Sequence, residues 1–161
     1  MIDEISIKIL KILQNKARIP NVEVAREVGM APSAVLERIR KLEKQGFIDG
    51  YEVRLNAQRF QRSLVGFIHI TVNDSADEEG VAKILSEIDE IQEVHFITGT
   101  DGYLVKVRVA GPQELDRLVR DKIRVIQGVC ATNTSVVLST IKETARIPID
   151  HIDVTSSQKG S

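Results

Sequence analysis

Apolar residues recur at helical period three times within the first 46 residues. Ile5, Ile9, Ile12 and Leu13 form one stripe behind Asp3, whose carboxylate suits a helix N-cap. Pro20 disfavours helical geometry at Ile19, so this helix is expected to end near Lys16. Asn21 is the expected cap of a short second helix, with Val24, Ala25 and Val28 inward and Gly29 as its stop. Pro32 suits the first turn of a third helix, with Val35, Ile39 and Leu42 inward and Gly46 at its end. The tight Gly-containing turn between the last two predicts a helix-turn-helix, in which the second helix of the pair enters a DNA major groove.

The pattern then changes. Residues 47–55 (FIDGYEVRL) read as a short extended stretch, and Asn56–Arg62 as a polar connector. Leu64–Val72 is apolar and β-rich. Val81, Ile84, Leu85 and Ile88 fall on one helix face, and Val94–Thr98 reads as a strand. Gly99–Gly102 (GTDG) is a turn, and Tyr103–Ala110 alternates Val105, Val107 and Val109 with Lys106 and Arg108, as in a sheet with one wet face. A helix from Pro112 with Leu115, Leu118 and Val119 inward, then a strand over Val129–Thr140, complete the order β-α-β-β-α-β, the ferredoxin-like unit. The expected fold is therefore α+β. A winged helix-turn-helix domain over 1–50 and a linker over 51–62 precede a ferredoxin-like domain over 63–147, and a polar tail over 148–161 is expected to be disordered.

Charge sharpens this division. The net charge of the 161 residues is only −1, which by itself speaks against a nucleic-acid binder. Residues 1–62, however, carry 12 Lys and Arg against 8 Asp and Glu, a balance of +4. Residues 63–161 carry 10 against 15, a balance of −5, so only the first part suits a phosphate backbone. No apolar run approaches the roughly 20 residues of a membrane span, and the acidic, amphipathic start is unlike a secretory signal, so no membrane partner and a cytoplasmic location are expected. Cys130 is the only cysteine, in an apolar stretch, and is expected to be buried and inert.

The outward face of the third helix carries Ser33, Ala34, Glu37, Arg38, Lys41 and Lys44. Small side chains at Ser33 and Ala34 allow close approach to base edges; Ser33 offers a hydrogen bond and Ala34 a contact with a thymine methyl. Arg38 is the candidate for a base or phosphate contact, and Arg40, Lys41 and Lys44 for phosphates. The same face also reads as an ordinary solvated helix surface. Glu37 favours that alternative, because a carboxylate in the groove is repelled unless it accepts from a cytosine amino group.

The run VEVAREVGMAPSAVLERIRKLEKQGFIDGYEVRLN resembles the helix-turn-helix and linker of the leucine-responsive/AsnC (feast/famine) regulators. DEISIKILKILQNKARIP resembles their first helix, and VCATNTSVVLSTIKE the end of their second domain, so that the resemblance covers residues 2–147. It implies a transcription regulator that binds double-stranded DNA and pairs through the sheets of its second domains into a homodimer and higher oligomers. It further implies an amino acid or related metabolite as effector, bound between second domains.

The effector loop of such proteins is typically G-x-x-D and then an aromatic residue, which here aligns with Gly99, Thr100, Asp101, Gly102 and Tyr103. Gly102 stands where the acidic residue usually does, with Asp101 one position earlier. Thr132 and Thr134 are expected beside the loop. A Gly-rich turn can hold a ligand carboxylate on backbone N–H groups, although a plain tight turn between antiparallel strands also favours Gly. Two alternatives stay open: an architectural DNA binder without an effector, and an enzyme similar to the siroheme decarboxylases. Against the enzyme, the segment GFIDGYEVRLNAQRF has neither a His nor tandem Arg. His69, His95 and His151 are far apart, and neither a phosphate loop nor a Cys/His metal cluster is present, so no catalytic residue, metal or cofactor is expected.

Overall fold

The computed structural model describes residues 2–73, 77–99 and 102–149. Among them the chain forms two compact units. The first runs to Val53 and takes in the chain again from Glu143; the second spans Arg54–Lys142.

The first unit is built on three helices, α1 (Glu4–Asn15), α2 (Asn21–Val28) and α3 (Pro32–Lys44). Asp3 caps α1 as its sequence suggests, accepting from the Ser6 backbone N–H at 2.9 Å. Asn21, expected as the cap of α2, is instead its first helical residue. Pro20 takes the cap position in extended geometry and leaves the first turn of α2 without a side-chain acceptor. Gly29 ends α2 in the left-handed conformation (φ 69°), which lets Met30 N–H reach the Ala25 carbonyl at 2.9 Å and turns the chain towards α3 within three residues. Ile9, Val24, Ala25, Val35 and Ile39 close a small core, with Ile5, Ile12, Leu13 and Val28 packed on its rim. Beyond α3 the chain is extended, and the Tyr51 hydroxyl ties it back by donating to Glu43 at 2.8 Å. Partial burial and that carboxylate push the Tyr51 pKa up to about 12.

The ferredoxin-like domain, expected to run to residue 147, ends earlier, at Lys142. Arg146 donates to Asn15 Oδ1 at 2.6 Å, and Gln14 exchanges two hydrogen bonds with the Ile147 backbone. Residues 143–149 thus belong with α1 and not with the second domain, because their polar groups find partners at the C-terminal end of that helix. Residues 150–161 lie outside the described residues.

The second unit is a four-stranded antiparallel sheet in the order β2-β3-β1-β4, made of β1 (Leu64–Val72), β2 (Ile91–Ile97), β3 (Gly102–Val109) and β4 (Val129–Val136). One face is covered by α4 (Glu78–Ser86) and by α5 (Pro112–Arg117), which continues into a π-helical turn, Leu118–Ile123. Ile68, Ile70, Tyr103, Val105, Val107, Leu85, Leu118 and Ile123 form the core beneath them. The connector expected over 51–62 is cut at Val53. Its later half joins the sheet unit, since Arg62 pairs with Glu114 and its carbonyl accepts from Arg108. The last strand stops at Val136 instead of Thr140. Only Val137 N–H continues the pairing, to Val65 at 2.9 Å, and Leu138 and Ile141 stand in solvent. Ile84, expected to point inward, is 46% exposed, because Val81 and Leu85, with Ala82 beside them, fill the contact of α4 with the sheet core. Cys130 is likewise exposed and not buried, as it lies on the edge strand β4.

Candidate nucleic-acid interface and effector face

Helical period divides α3 into two sides. Val35 and Ile39 are buried in the core with α1 and α2, Leu42 is buried on the same side, and Ser33, Glu37, Arg40, Lys41 and Lys44 project into solvent on the opposite side, with Ala34 half-buried at their margin. Glu37 lies 4.0 Å from Arg40, both side chains well exposed, so this neighbouring cation offsets its charge at a surface where such a pair is worth little. The absence of a side-chain cap at Ala31 leaves the first N–H groups of α3 directed outward beside Ser33. The arrangement is an exposed helix with small side chains at its start and cations along its length, backed by a packed core.

Arg38 departs from this set. It shares the flank of α3 with Leu42 and is directed at the start of α1. There its Nη1 donates to both carboxylate oxygens of Asp3, at 2.8 and 2.6 Å, and to Ser6 Oγ at 3.1 Å. The bonds from Ser6 and then that from Arg38 hold the Asp3 carboxyl well below the usual carboxylate range. Sequence spacing identified the cap but not this partner 35 residues away, since only the crossing of α1 and α3 brings the two together.

On the second unit, Thr100 and Asp101 of the expected effector loop lie outside the described residues. Gly99 is exposed with φ 96°, open to solvent around its Cα. Gly102 is buried at the start of β3, opposite Thr71 and Ile97. A Cβ there would stand 1.9 Å from the Ile70 carbonyl oxygen, so the sheet itself requires this glycine. Of the two readings of this turn, the structural one accounts for Gly102. Tyr103 is buried on the helix-covered face, its hydroxyl donating to the Glu78 carbonyl at 2.7 Å and its ring edge-on to Phe96. Thr132 accepts from Arg124 at 2.9 Å, and it stands in register with Ile70, which faces Tyr103; Thr134 is in register with Ile68, further along. One strand, β1, lies between both threonines and Tyr103.

Two family models match the chain. Residues 2–49 match a winged helix-turn-helix DNA-binding domain, and residues 65–147 match the Lrp/AsnC ligand binding domain. The chain belongs to the Lrp/AsnC family. The leucine-responsive regulatory proteins of Klebsiella pneumoniae and Escherichia coli K12 are each 38% identical to it over 150 residues, which is 92% of both chains. Among solved structures, a Neisseria meningitidis transcriptional regulator in complex with L-Met superposes with a TM-score of 0.90 at 29% identity, over 94% of this chain and 99% of that one. Escherichia coli AsnC superposes with a TM-score of 0.84 at 25% identity, over 92% and 99%. This Lrp/AsnC protein is thus a DNA-binding transcription regulator rather than an enzyme, with α2 and α3 as its helix-turn-helix and the four-stranded unit as the ligand-binding domain of its family. Among the described residues no cluster of His, Cys, Asp and Glu is placed to hold a metal, and no helix is long and apolar enough to cross a membrane.

Proposed function

We propose that this regulator works in the cytoplasm as a homodimer or larger assembly that reads double-stranded DNA with α3 and answers to an amino acid or related small metabolite. The observation that carries the DNA part is the exposed outer face of α3. Ser33 and Ala34 meet base edges at its start, Glu37 accepts from a base amino group, and Arg40, Lys41 and Lys44 take phosphates. Two copies supply two such helices for half-sites about one DNA turn apart. The surface suited to pairing the copies is the sheet face away from α4 and α5, where Phe67, His69, Leu104 and Ile97 lie without a covering helix of their own unit.

Fluorescence anisotropy on a duplex selected from a random pool by the wild-type protein tests the DNA reading. Affinity should fall steeply with salt, and Lys41→Ala should flatten that dependence by about one charge. An unchanged slope would overturn the assignment of this face.

For the effector, the support is the L-Met complex of the Neisseria regulator and the match to the ligand-binding domain. Gly99, Thr100, Asp101 and Tyr103 of one subunit would line the site, with Thr132 and Thr134, which share the helix-covered side of the sheet with Tyr103, contributed by a neighbouring copy at a second contact of the larger assembly. An acidic side chain that pairs with a ligand ammonium would then be Asp101, as Gly102 offers none. A second reading, an architectural DNA binder without effector, draws support from Gly102, whose presence the sheet explains with no ligand. Calorimetric titration with the common amino acids, L-methionine and L-leucine first, separates the two. Binding that Asp101→Ala weakens more than tenfold supports the sensor, and absence of heat across the set supports the architectural binder.

A further inference from the structure

We propose that Arg38 is a positioning residue, which sets the angle of the DNA-reading helix α3 against α1 through Asp3 and does not itself touch DNA. The inference rests on the reading of α3 given above and concerns how that helix is held.

Three features of the geometry carry it. One Arg38 nitrogen is shared among three acceptors, both Asp3 oxygens and Ser6 Oγ, at 2.6 to 3.1 Å. Its side chain is 31% exposed, whereas that of Arg40, two residues on, is 66% exposed. The acceptor is also fixed in advance: Asp3 Oδ1 already receives the Ser6 N–H as the cap of α1, so little side-chain freedom remains to be lost when the arginine docks.

Arg38 lies one helical turn before the buried Leu42, on the flank that rolls onto α1. To reach a base or a phosphate it would have to leave all three acceptors and uncover Asp3, a carboxylate, beside DNA. Kept in place, it neutralises that carboxylate and pins the middle of α3 to the first turn of α1. The two helices then share one polar fastening at the edge of their apolar contact, and a small rotation of α3 about its axis would break it. Such a rotation would also shift Ser33, Glu37 and Lys44 relative to the groove, which gives a fastening remote from the bases an influence on sequence preference.

The test is a double-mutant cycle on the full chain, with Arg38→Ala, Asp3→Asn and the double variant, and Lys41→Ala as the reference for a phosphate contact. Asp3→Asn keeps an oxygen for the Ser6 cap, so α1 still forms, and urea unfolding verifies each variant. Binding is read on the selected duplex and on a random duplex, each at two salt concentrations. We expect Arg38→Ala and Asp3→Asn each to weaken the selected duplex by about fivefold and the double variant no further. Random-duplex affinity and the salt slope should stay unchanged in all three, while Lys41→Ala lowers the slope. A slope lowered by about one charge in Arg38→Ala, with Asp3→Asn unaffected or tighter, would make Arg38 a DNA contact and overturn the proposal. So would additive losses, or no loss of selectivity in either single variant. A slope unmoved by Lys41→Ala would instead defeat the underlying reading of α3.

Discussion

Gly102 runs so close to Ile70 that a Cβ on the glycine would stand 1.9 Å from the Ile70 carbonyl oxygen. The obstacle is backbone in the central strand β1, which cannot swing aside as a side chain would. Gly102→Ala is therefore expected to destabilise the second unit by about 3 kcal/mol, at the upper end of overpacking costs. Gly99→Ala, which meets no neighbour but keeps a positive φ, should cost about 1 kcal/mol. Urea unfolding of the two variants checks the order; equal losses would contradict it.

The fastening of the C-terminal segment gives a second expectation. Gln14 donates to the Ile147 carbonyl at 3.1 Å and accepts from its N–H at 2.8 Å, so its amide imitates a strand neighbour. Both bonds are exposed, and Gln14→Ala should lower the stability of the first unit by about 1 kcal/mol. Amide exchange at Ile147 should quicken in parallel, because this N–H would lose its acceptor to water.

Acid should loosen the contact of Asp3 with Arg38. The folded protein holds the Asp3 carboxyl below its ordinary value, so its contribution is fully present above about pH 4, the unfolded value, and is lost as pH falls further towards the folded one. Wild type should therefore be more stable than Asp3→Asn at pH 6, and the gap should narrow from pH 4 to pH 2. A gap independent of pH would show that charge on Asp3 contributes nothing.

Phe67 tests the assembly surface. It is 37% exposed in the uncovered middle of the sheet, so a charge there is tolerated by one chain but not by two pressed together. Phe67→Asp should weaken self-association by about a hundredfold, the equivalent of roughly 3 kcal/mol for an unpaired charge at a buried interface. Sedimentation should show monomer at concentrations where the wild type is expected to be dimeric, and DNA affinity should drop with it.

Much of this architecture is legible in the chain, and the exceptions share a cause. Gly29, Pro32 and the apolar stripe of α3 locate the reading helix because caps and periodicity act within one or two turns. Leu64–Val72 was bounded correctly by its own run of apolar residues. The exposure of Ile84 and Cys130 is not legible locally, because it depends on strand order and helix seating, which no local pattern encodes. Arg38 looked like one more cation on a basic face, and only the crossing of α1 and α3 reveals the carboxylate that takes it. The docking of Arg146 and Ile147 on α1 is hidden in the sequence for the same reason: their partners are the side chains of Asn15 and Gln14, more than 130 residues away.

The return of the chain to α1 makes the sheet unit an insertion, entered after Val53 and left before Glu143. A chimera that joins the reader of one regulator to the sensor of another by a single crossover in the linker would therefore mismatch the closing peptide with a foreign α1. Exchanging 54–142 as a cassette, with both flanks kept from one parent, preserves the Gln14, Asn15, Arg146 and Ile147 contacts. Homologous regulators in which the same two junctions can be drawn should trade sensors more readily by this route than by fusion at one point.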